Sequence, residues 1–296
     1  MFCLGLIITI MTGTAIPSSE LPPVQGCEVS VERDAVYARA EGYWSHTAED
    51  ASRLPLLIKA AAGTKELELK MDIYTPVGDS LSLRPLLLMM HGGAYFFGNK
   101  NELGQSEWCR YFASQGYVAA SIDYRIGFRL KKEEILMAEQ RAEEDAMAAL
   151  RYFLGREDLR IDPERIFAVG TSAGATTALS IAYKQSEIPI RAVGNLWGYV
   201  HDLSILEGAS IPIISFQSER DPVVPYREGY PMNAKNLIDK VYGTAAIHSR
   251  AIELGIPSEH HPCPEKRHRL HLDNWGRLNS RYYEIRDCME DFFREH

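Results

Sequence analysis

The stretch AVGTSAGATTAL, Ala168–Leu179, decides the fold because it joins an apolar strand to a helix through a glycine-rich turn. Its centre, Gly170–Gly174, fits the pattern G-x-S-x-G with Ser172 in the middle. The apolar run Ile166–Val169 predicts a buried strand before the turn, and the alanine-rich run after it predicts a helix. Small flanking residues allow the strained turn that exposes a nucleophilic serine. We therefore predict that Ser172 is a nucleophile; the alternative is an incidental serine in a glycine-rich turn.

Short apolar runs bounded by turn residues lie on both sides of this stretch and are typical of strands covered on both faces. They are Arg84–His91, Gly116–Tyr124, Arg165–Gly170, Arg191–Gly198 and Ile211–Gln217. Alternating apolar residues predict a half-buried strand from Leu67 that stops at Pro76. Helical spacing predicts helices at 141–154 and 281–296. Alternating strands and helices predict an α/β fold, with a mostly parallel central sheet and helices on both faces.

The composition is that of a globular protein with a large buried core. Of 296 residues, 46% are hydrophobic and 24% are charged. The formal net charge of -8 disfavours nucleic acid or an anionic membrane surface as the main partner. Because the chain has neither a GxGxxG nor a GxxxxGK[ST] pattern, a nucleotide site has no support.

The N-terminal segment resembles a secretory signal peptide. Residues Phe2–Met11 are apolar and too few to span a bilayer, and small residues follow them. No Lys or Arg precedes Arg33, so the usual positive region is missing, and a buried strand or a mis-assigned start is the alternative. We predict a signal peptide at 1–15, a leader at 16–27, a single domain at 28–296 and export to the periplasm or the medium. No later stretch predicts a membrane helix.

A second glycine-rich stretch, LLLMMHGGAYFFGNK, follows another predicted strand at 86–100. Backbone N–H groups in such a loop can stabilise the oxyanion of a tetrahedral intermediate. We expect His91, at the end of the strand, to hold this loop by a hydrogen bond and not to act as a base. The aromatic residues Tyr95, Phe96 and Phe97 line an acyl pocket or pack into the core.

The segments HGGAYFFG, DYR (123–125) and RIDPERIFAVGTSAG resemble α/β-hydrolases of the carboxylesterase and hormone-sensitive-lipase-like type. The resemblance runs from about Leu67 to the C-terminus and implies the α/β-hydrolase fold. It also implies an oxyanion hole made by the N–H groups of Gly93, Ala94 and Ala173. The family often has glycine at the position of Ala94, and alanine keeps the donor but narrows the allowed backbone angles. Asp123 is expected to fix the loop near Arg125.

In this fold the chain order is nucleophile, acid, base. Asp221 follows the predicted strand Ile211–Gln217 and matches the family pattern D-x-x-V-P with Val224 and Pro225. The resemblance therefore implies that Asp221 is the acid. Glu219 is the alternative acid, although a solvated loop residue is its simpler interpretation.

The stretch SEHHPCPEKRHRLH, Ser258–His271, contains four histidines. The family places its base in a loop after the last strand, which implies His268, with His271 as the alternative. A strand at about 258–263 would contain His260 and His261, and adjacent strand residues face opposite ways. The charged residues at 265–267 replace the small residues that the family has in this loop, so its conformation is not predicted.

A metal site built from the same four histidines is the competing interpretation. The prolines at 262 and 264 argue against a helix there, and the sequence has no HExxH motif or CxxC pair. The cysteines left after signal cleavage would be Cys27, Cys109, Cys263 and Cys288, which permit disulfides without dictating their pairing.

These residues predict a serine carboxylic-ester hydrolase that needs no cofactor and no metal. Ser172 attacks the ester, His268 transfers the proton and Asp221 orients the imidazole. The predicted substrate is a small-molecule or carbohydrate ester with a short acyl, acetyl or feruloyl group. A serine peptidase and an acyltransferase on the same fold, and a non-catalytic binding module, are the alternatives.

Overall fold

The computed structural model describes residues 26–46, 53–184 and 187–296. The predicted signal peptide at 1–15 lies outside the described residues, as does nearly all of the leader at 16–27. Export therefore stays a prediction.

The described residues form ten strands and six α-helices. The strands are β1 (Glu28–Gly42), β2 (Lys65–Val77), β3 (Arg84–Met90), β4 (Val118–Ile122), β5 (Ile161–Thr171), β6 (Ala192–Leu196), β7 (Ile213–Ser218), β8 (Glu228–Gly229), β9 (Val241–Tyr242) and β10 (Ser258–Cys263). The helices are α1 (Arg53–Ala62), α2 (Leu103–Ser114), α3 (Lys132–Leu154), α4 (Ala173–Tyr183), α5 (Thr244–Leu254) and α6 (Ser280–Glu295).

Eight of the described strands form one sheet in the order β1-β2-β4-β3-β5-β6-β7-β10. The pairs β1–β2 and β2–β4 are antiparallel, and every other neighbouring pair in this sheet is parallel. The chain goes from β3 outwards to β4 and then returns to the other side of β3 as β5. The loops after β3 and β5 therefore meet at one edge of the sheet, which is where open α/β sheets bind ligands.

The core lies on both faces of this sheet, and β3 shows why. All seven of its residues are buried. Leu86, Leu88 and Met90 pack into a cluster with the apolar faces of α3 and α4. Leu87 and Met89 pack into a second cluster, with α2 and α6. The prediction of a mostly parallel sheet with helices on both faces is therefore confirmed.

Two strands differ from the sequence prediction. The predicted stop of β2 at Pro76 is wrong, because β2 runs to Val77 and Pro76 pairs with Val29 of β1. Proline is tolerated there because the pairing of β4 with β2 reaches only as far as Tyr74, so Pro76 lies where β2 is not paired with β4. The sequence does not predict β1, whose many charged residues give no clear apolar alternation; pairing with β2 decides its conformation.

Two chemical features of the described residues bear on the predictions. The thiols of Cys27, Cys109, Cys263 and Cys288 are free, so these cysteines form no disulfide with one another. In the same part of the chain, no helix is both long and apolar enough to cross a membrane.

Candidate active site

Ser172 lies in the sharp turn between β5 and α4. Its backbone has φ 53° and ψ -118°, in the left-handed half of conformational space that costs a non-glycine residue about 1–3 kcal/mol. The turn is fixed at both ends: the Ser172 N–H donates to the carbonyl of Leu196 at 2.8 Å, and its carbonyl accepts from Ala175 and Thr176. The geometry is that of the strand-to-helix turn predicted from the sequence.

The glycines on either side of Ser172, Gly170 and Gly174, allow the backbones of β5, α4 and β3 to pack closely. A Cβ atom added to Gly170 would lie 2.2 Å from the carbonyl carbon of Gly174. One added to Gly174 would lie 2.1 Å from the carbonyl oxygen of Met90. Any larger side chain would therefore push the start of α4 away from β3 and β5.

Ser172, His268 and Asp221 form one hydrogen-bonded chain. The His268 Nε2 lies 2.9 Å from the Ser172 Oγ, and the His268 Nδ1 lies 2.8 Å from the Asp221 Oδ2. The Asp221 side chain is fully buried, and the His268 side chain is 16% exposed. The other carboxylate oxygen of Asp221 accepts from the N–H groups of Val223 and Val224, at 2.8 and 3.1 Å. The main chain thus holds the Asp221 carboxylate independently of its contact with the imidazole.

The alternative acid and base do not share this arrangement. The Glu219 side chain is exposed at the end of β7. His271 is buried between two indole rings, with ring centroids 5.3 Å from Trp197 and 5.2 Å from Trp108. Burial lowers the pKa of His271 to about 3, so its ring is neutral at physiological pH. Its contacts are those of a packed core residue.

The remaining histidines of the cluster lie in β10 and face different neighbours. The His260 Nε2 lies 3.1 Å from the Thr244 Oγ1, and the His261 ring stacks on Phe216 with centroids 4.6 Å apart. Across the residues that the structure describes, no group of three His, Cys, Asp or Glu side chains could hold a metal ion. The four histidines thus do not converge on one point.

The charged loop before His268 is held by its main chain. The Ser218 hydroxyl donates to the carbonyl of Glu265, and the Arg220 Nε donates to the carbonyl of Pro264 at 2.8 Å. The side chains of Glu265 and Lys266 are exposed. Because these side chains point to solvent, the loop does not need the small residues expected from the family.

The loop after β3 lies against the nucleophile. A Cβ atom on Gly92 would lie 3.3 Å from the Ser172 Cβ. Gly93 has φ 113° and Ala94 has φ 53°. Ala94 therefore adopts a left-handed conformation at a position where the family often has glycine. The Gly93 carbonyl accepts from the N–H groups of Phe96 and Phe97, whereas among the described residues the Gly93 and Ala94 N–H groups donate to no backbone carbonyl.

His91 sits beneath this loop as a neutral ring. Its Nδ1 lies 2.7 Å from the carbonyl of Gly92, and its ring stacks on Tyr124 with centroids 4.2 Å apart. Burial lowers the pKa of His91 to about 4. The Nδ1–H of the neutral ring therefore donates to the loop, which is the structural contact expected from the sequence.

The far end of the loop is anchored by a buried charge cluster that the sequence analysis missed. The Lys100 N–H donates to the Asp123 carboxylate at 2.7 Å, and the Lys100 ammonium lies 2.5 Å from Asp72. Burial raises the pKa of Asp123 to about 7. The expected role of Asp123 near Arg125 is wrong in detail, because Asp145 holds both the backbone and the guanidinium of Arg125.

Two cavities open at Ser172. The smaller, of about 130 Å³, has almost entirely apolar walls, which include Tyr95 and Ile238. The larger, of about 340 Å³, includes His268 and Glu102 among its walls. Burial raises the pKa of Glu102 to about 6, and the sequence analysis did not single out this residue.

The three aromatic residues after the loop divide between these environments. Tyr95 lines the smaller cavity and Phe97 lines the larger one. Phe96 packs edge-on against Trp44 and Phe128, in the core. Phe96 therefore packs into the core, which was one expectation, whereas Tyr95 and Phe97 line cavities beside Ser172 and their role in an acyl pocket stays a prediction.

Comparisons with known proteins agree with this geometry. A profile of the BD-FAE family matches residues 71–196. The chain is 25% identical over 218 residues to the arylacetamide deacetylase of Bos taurus, which covers 71% of this chain and 50% of that protein. It is 28% identical over 156 residues to the non-reducing polyketide synthase mapC of Penicillium brevicompactum, which covers 50% of this chain. The chain spans only 6% of that synthase and half of the deacetylase.

Among solved structures, the chain resembles Thermogutta terrifontis esterase 2 phosphorylated by paraoxon. The TM-score is 0.61 at 20% sequence identity, and the match covers 93% of this chain and 95% of that chain. At this identity the likeness establishes the fold, which is that of the α/β-hydrolases. The predicted α/β-hydrolase fold is thereby confirmed. The matches to the BD-FAE profile and to the deacetylase agree with the predicted resemblance to carboxylesterase-like enzymes.

Proposed function

We propose that this chain, which has the α/β-hydrolase fold, is a serine carboxylic-ester hydrolase whose nucleophile is Ser172. One observation carries the proposal: the imidazole of His268 lies within hydrogen-bonding distance of the Ser172 hydroxyl and of a buried, fixed Asp221 carboxylate. A serine hydroxyl is a weak nucleophile until an oriented base takes its proton, and this arrangement supplies that base.

The proposed reaction proceeds in two steps through an acyl-enzyme. The Ser172 Oγ attacks the ester carbonyl while its proton moves to the His268 Nε2. The carbonyl–alkoxy bond then breaks, and the alcohol leaves with that proton. In the second step His268 takes a proton from water, the hydroxide attacks the acyl carbon, and the carboxylic acid is released with Ser172 restored. Asp221 keeps the His268 Nδ1–H in place and stabilises the imidazolium.

We assign the oxyanion hole to the N–H groups of Gly93, Ala94 and Ala173. The first two lie in the loop packed against Ser172, and the Gly93 and Ala94 N–H groups donate to no backbone carbonyl among the described residues. Ala173 is the first residue of α4, where the helix dipole favours negative charge. Such donors act without reorganisation because the backbone already holds them.

We propose short acyl esters, including acetyl groups linked to carbohydrate, as the substrates. The apolar cavity beside Ser172 has about 130 Å³, well below the roughly 300–1,000 Å³ of typical ligand pockets. That volume supports an acetyl or another short acyl group over a bulky feruloyl group. The relative from Bos taurus is a deacetylase by name, which agrees with removal of a small acyl group.

The experiment compares wild type with Ser172→Ala on p-nitrophenyl acetate, an alanine p-nitroanilide, and p-nitrophenyl acetate with an added alcohol acceptor. The proposal expects hydrolysis of the ester, negligible cleavage of the anilide, little transfer to the alcohol, and loss of all activity in the variant. Faster cleavage of the anilide would indicate a peptidase, and dominant transfer would indicate an acyltransferase. Equal activity of the variant would rule out Ser172 as the nucleophile.

A further inference from the structure

The two cavities at Ser172 are separated by few side chains. Their walls have only four residues in common, namely Ala94, Ser172, Val223 and Met232. The first two belong to the oxyanion loop and the nucleophile turn, and Val223 belongs to the turn that holds Asp221. Met232 alone comes from another segment of the chain, the short 3-10 turn Pro231–Asn233.

The position of His268 tells the two cavities apart. His268 lines the larger cavity and is absent from the walls of the smaller one. In the proposed reaction, its Nε2 delivers a proton to the departing alkoxide, so the leaving group must lie on the His268 side. The acyl group then occupies the smaller, apolar cavity. Met232 therefore stands between the acyl pocket and the leaving-group pocket.

The backbone holds Met232 in that place. Met232 has φ 52° and ψ 21°, and Asn233 also has a positive φ of 57°. The Met232 N–H donates to the carbonyl of Val223 at 2.7 Å, which ties this segment to the Asp221 turn. Met232 is 51% exposed, and its unbranched thioether side chain has three rotatable bonds with which to adapt. The Met232 backbone is thus fixed, whereas its side chain can adapt.

We infer that Met232 is a specificity-determining residue that restricts the acyl group to short chains by forming the wall between the two pockets. This inference rests on the proposed ester hydrolysis at Ser172. An acetyl or butyryl group enters the smaller cavity as it stands. A longer or aromatic acyl group has to displace the Met232 side chain and extend into the larger cavity, or leave past Leu130, the most exposed apolar residue on the rim.

The test measures kcat/KM for p-nitrophenyl acetate, butyrate and octanoate with wild type, Met232→Ala and Met232→Phe. Alanine should raise the octanoate-to-acetate ratio roughly tenfold, since each added methylene that finds an apolar site is worth about fourfold. Phenylalanine should lower the ratio below that of wild type. Thermal unfolding of each variant shows whether it is folded.

Met137→Ala is the matched control, because Met137 is 52% exposed, lies on α3 and lines neither cavity. It should leave all three kcat/KM values unchanged. A folded Met232→Ala variant with the wild-type ratio would overturn the inference, as would a Leu130→Ala variant that raises the ratio when Met232→Ala does not. Failure of the proposed function is distinguishable, because wild type would then show no hydrolysis that depends on Ser172.

Discussion

Asp221 uses its two carboxylate oxygens for two different tasks: Oδ2 accepts from the His268 imidazole, and Oδ1 accepts from the main chain at Val223 and Val224. His268, the proposed catalytic base, and Val223 and Val224, which line the smaller cavity, are therefore positioned by one buried side chain. The carboxylate also fixes the tautomer, because an acceptor at Nδ1 requires the proton there and leaves Nε2 free to accept the serine proton.

Replacing Asp221 with Asn should separate these tasks. The amide oxygen can keep the two backbone donors, which turns the amide NH₂ towards His268 Nδ1 and forces the wrong tautomer. We expect kcat for p-nitrophenyl acetate to fall by about 10³–10⁴, with little change in KM. Glu219→Gln makes the same chemical change at an exposed neighbouring position and should keep wild-type kinetics. Equal losses in the two variants would show that Asp221 has no special role.

The two histidines at the end of the cluster should respond in opposite ways. His268→Ala should abolish hydrolysis and lower the free energy of unfolding less than His271→Ala does, because the His268 side chain is 16% exposed whereas His271 is 3% exposed. His271→Ala should lower the free energy of unfolding by about 2–4 kcal/mol, since it leaves a cavity between Trp197 and Trp108. Denaturant titration and initial rates measure the two effects. A stable, inactive His271→Ala variant beside an active His268→Ala variant would reverse the assignment.

A histidine outside the site should make stability depend on pH. The His201 Nε2 lies 2.6 Å from the buried Glu139, which also accepts from Tyr199, a residue that lines the smaller cavity. This hydrogen bond raises the pKa of His201 above its usual 6.5. Its stabilisation is therefore complete below the pKa of the unfolded state and is lost as pH rises through the raised folded-state pKa.

The melting temperature of wild type minus that of His201→Ala should accordingly be larger at pH 5.5 than at pH 9. The same comparison in a Glu139→Gln background is the control, because the neutral amide removes the charge partner. A difference between wild type and His201→Ala that stays constant from pH 5.5 to 9 would contradict a charged pair.

Sequence alone could predict the parts of the site that depend on local patterns. Ser172 lies in a five-residue motif between a strand and a helix. The close packing of the backbone at Gly170 and Gly174 requires the two glycines of that motif. Chain order and the family resemblance singled out Asp221 and His268, and the structure brings both together with Ser172. The continuous apolar run of β3 likewise predicts a strand covered on both faces.

What the sequence could not predict depends on contacts between distant residues. The loop before His268 is held by hydrogen bonds that its own backbone carbonyl groups accept. Every residue type has a backbone carbonyl, so the residue types at 265–267 do not predict these bonds. The Lys100 anchor requires Asp72, which lies on β2, and Asp123, which directly follows β4. The edge strand β1 gains its conformation by pairing with β2, so its own charged sequence does not predict a strand.

The central claim is that Ser172 is the activated nucleophile, and covalent labelling tests it most directly. The protein is treated with paraoxon, residual hydrolysis of p-nitrophenyl acetate is followed, and the modified peptide is identified by mass spectrometry. We predict one diethylphosphoryl group per chain, on Ser172, formed in proportion to the loss of activity and absent from Ser172→Ala. A fully inactivated protein labelled at another residue, or full activity after Ser172 is labelled, would contradict the account.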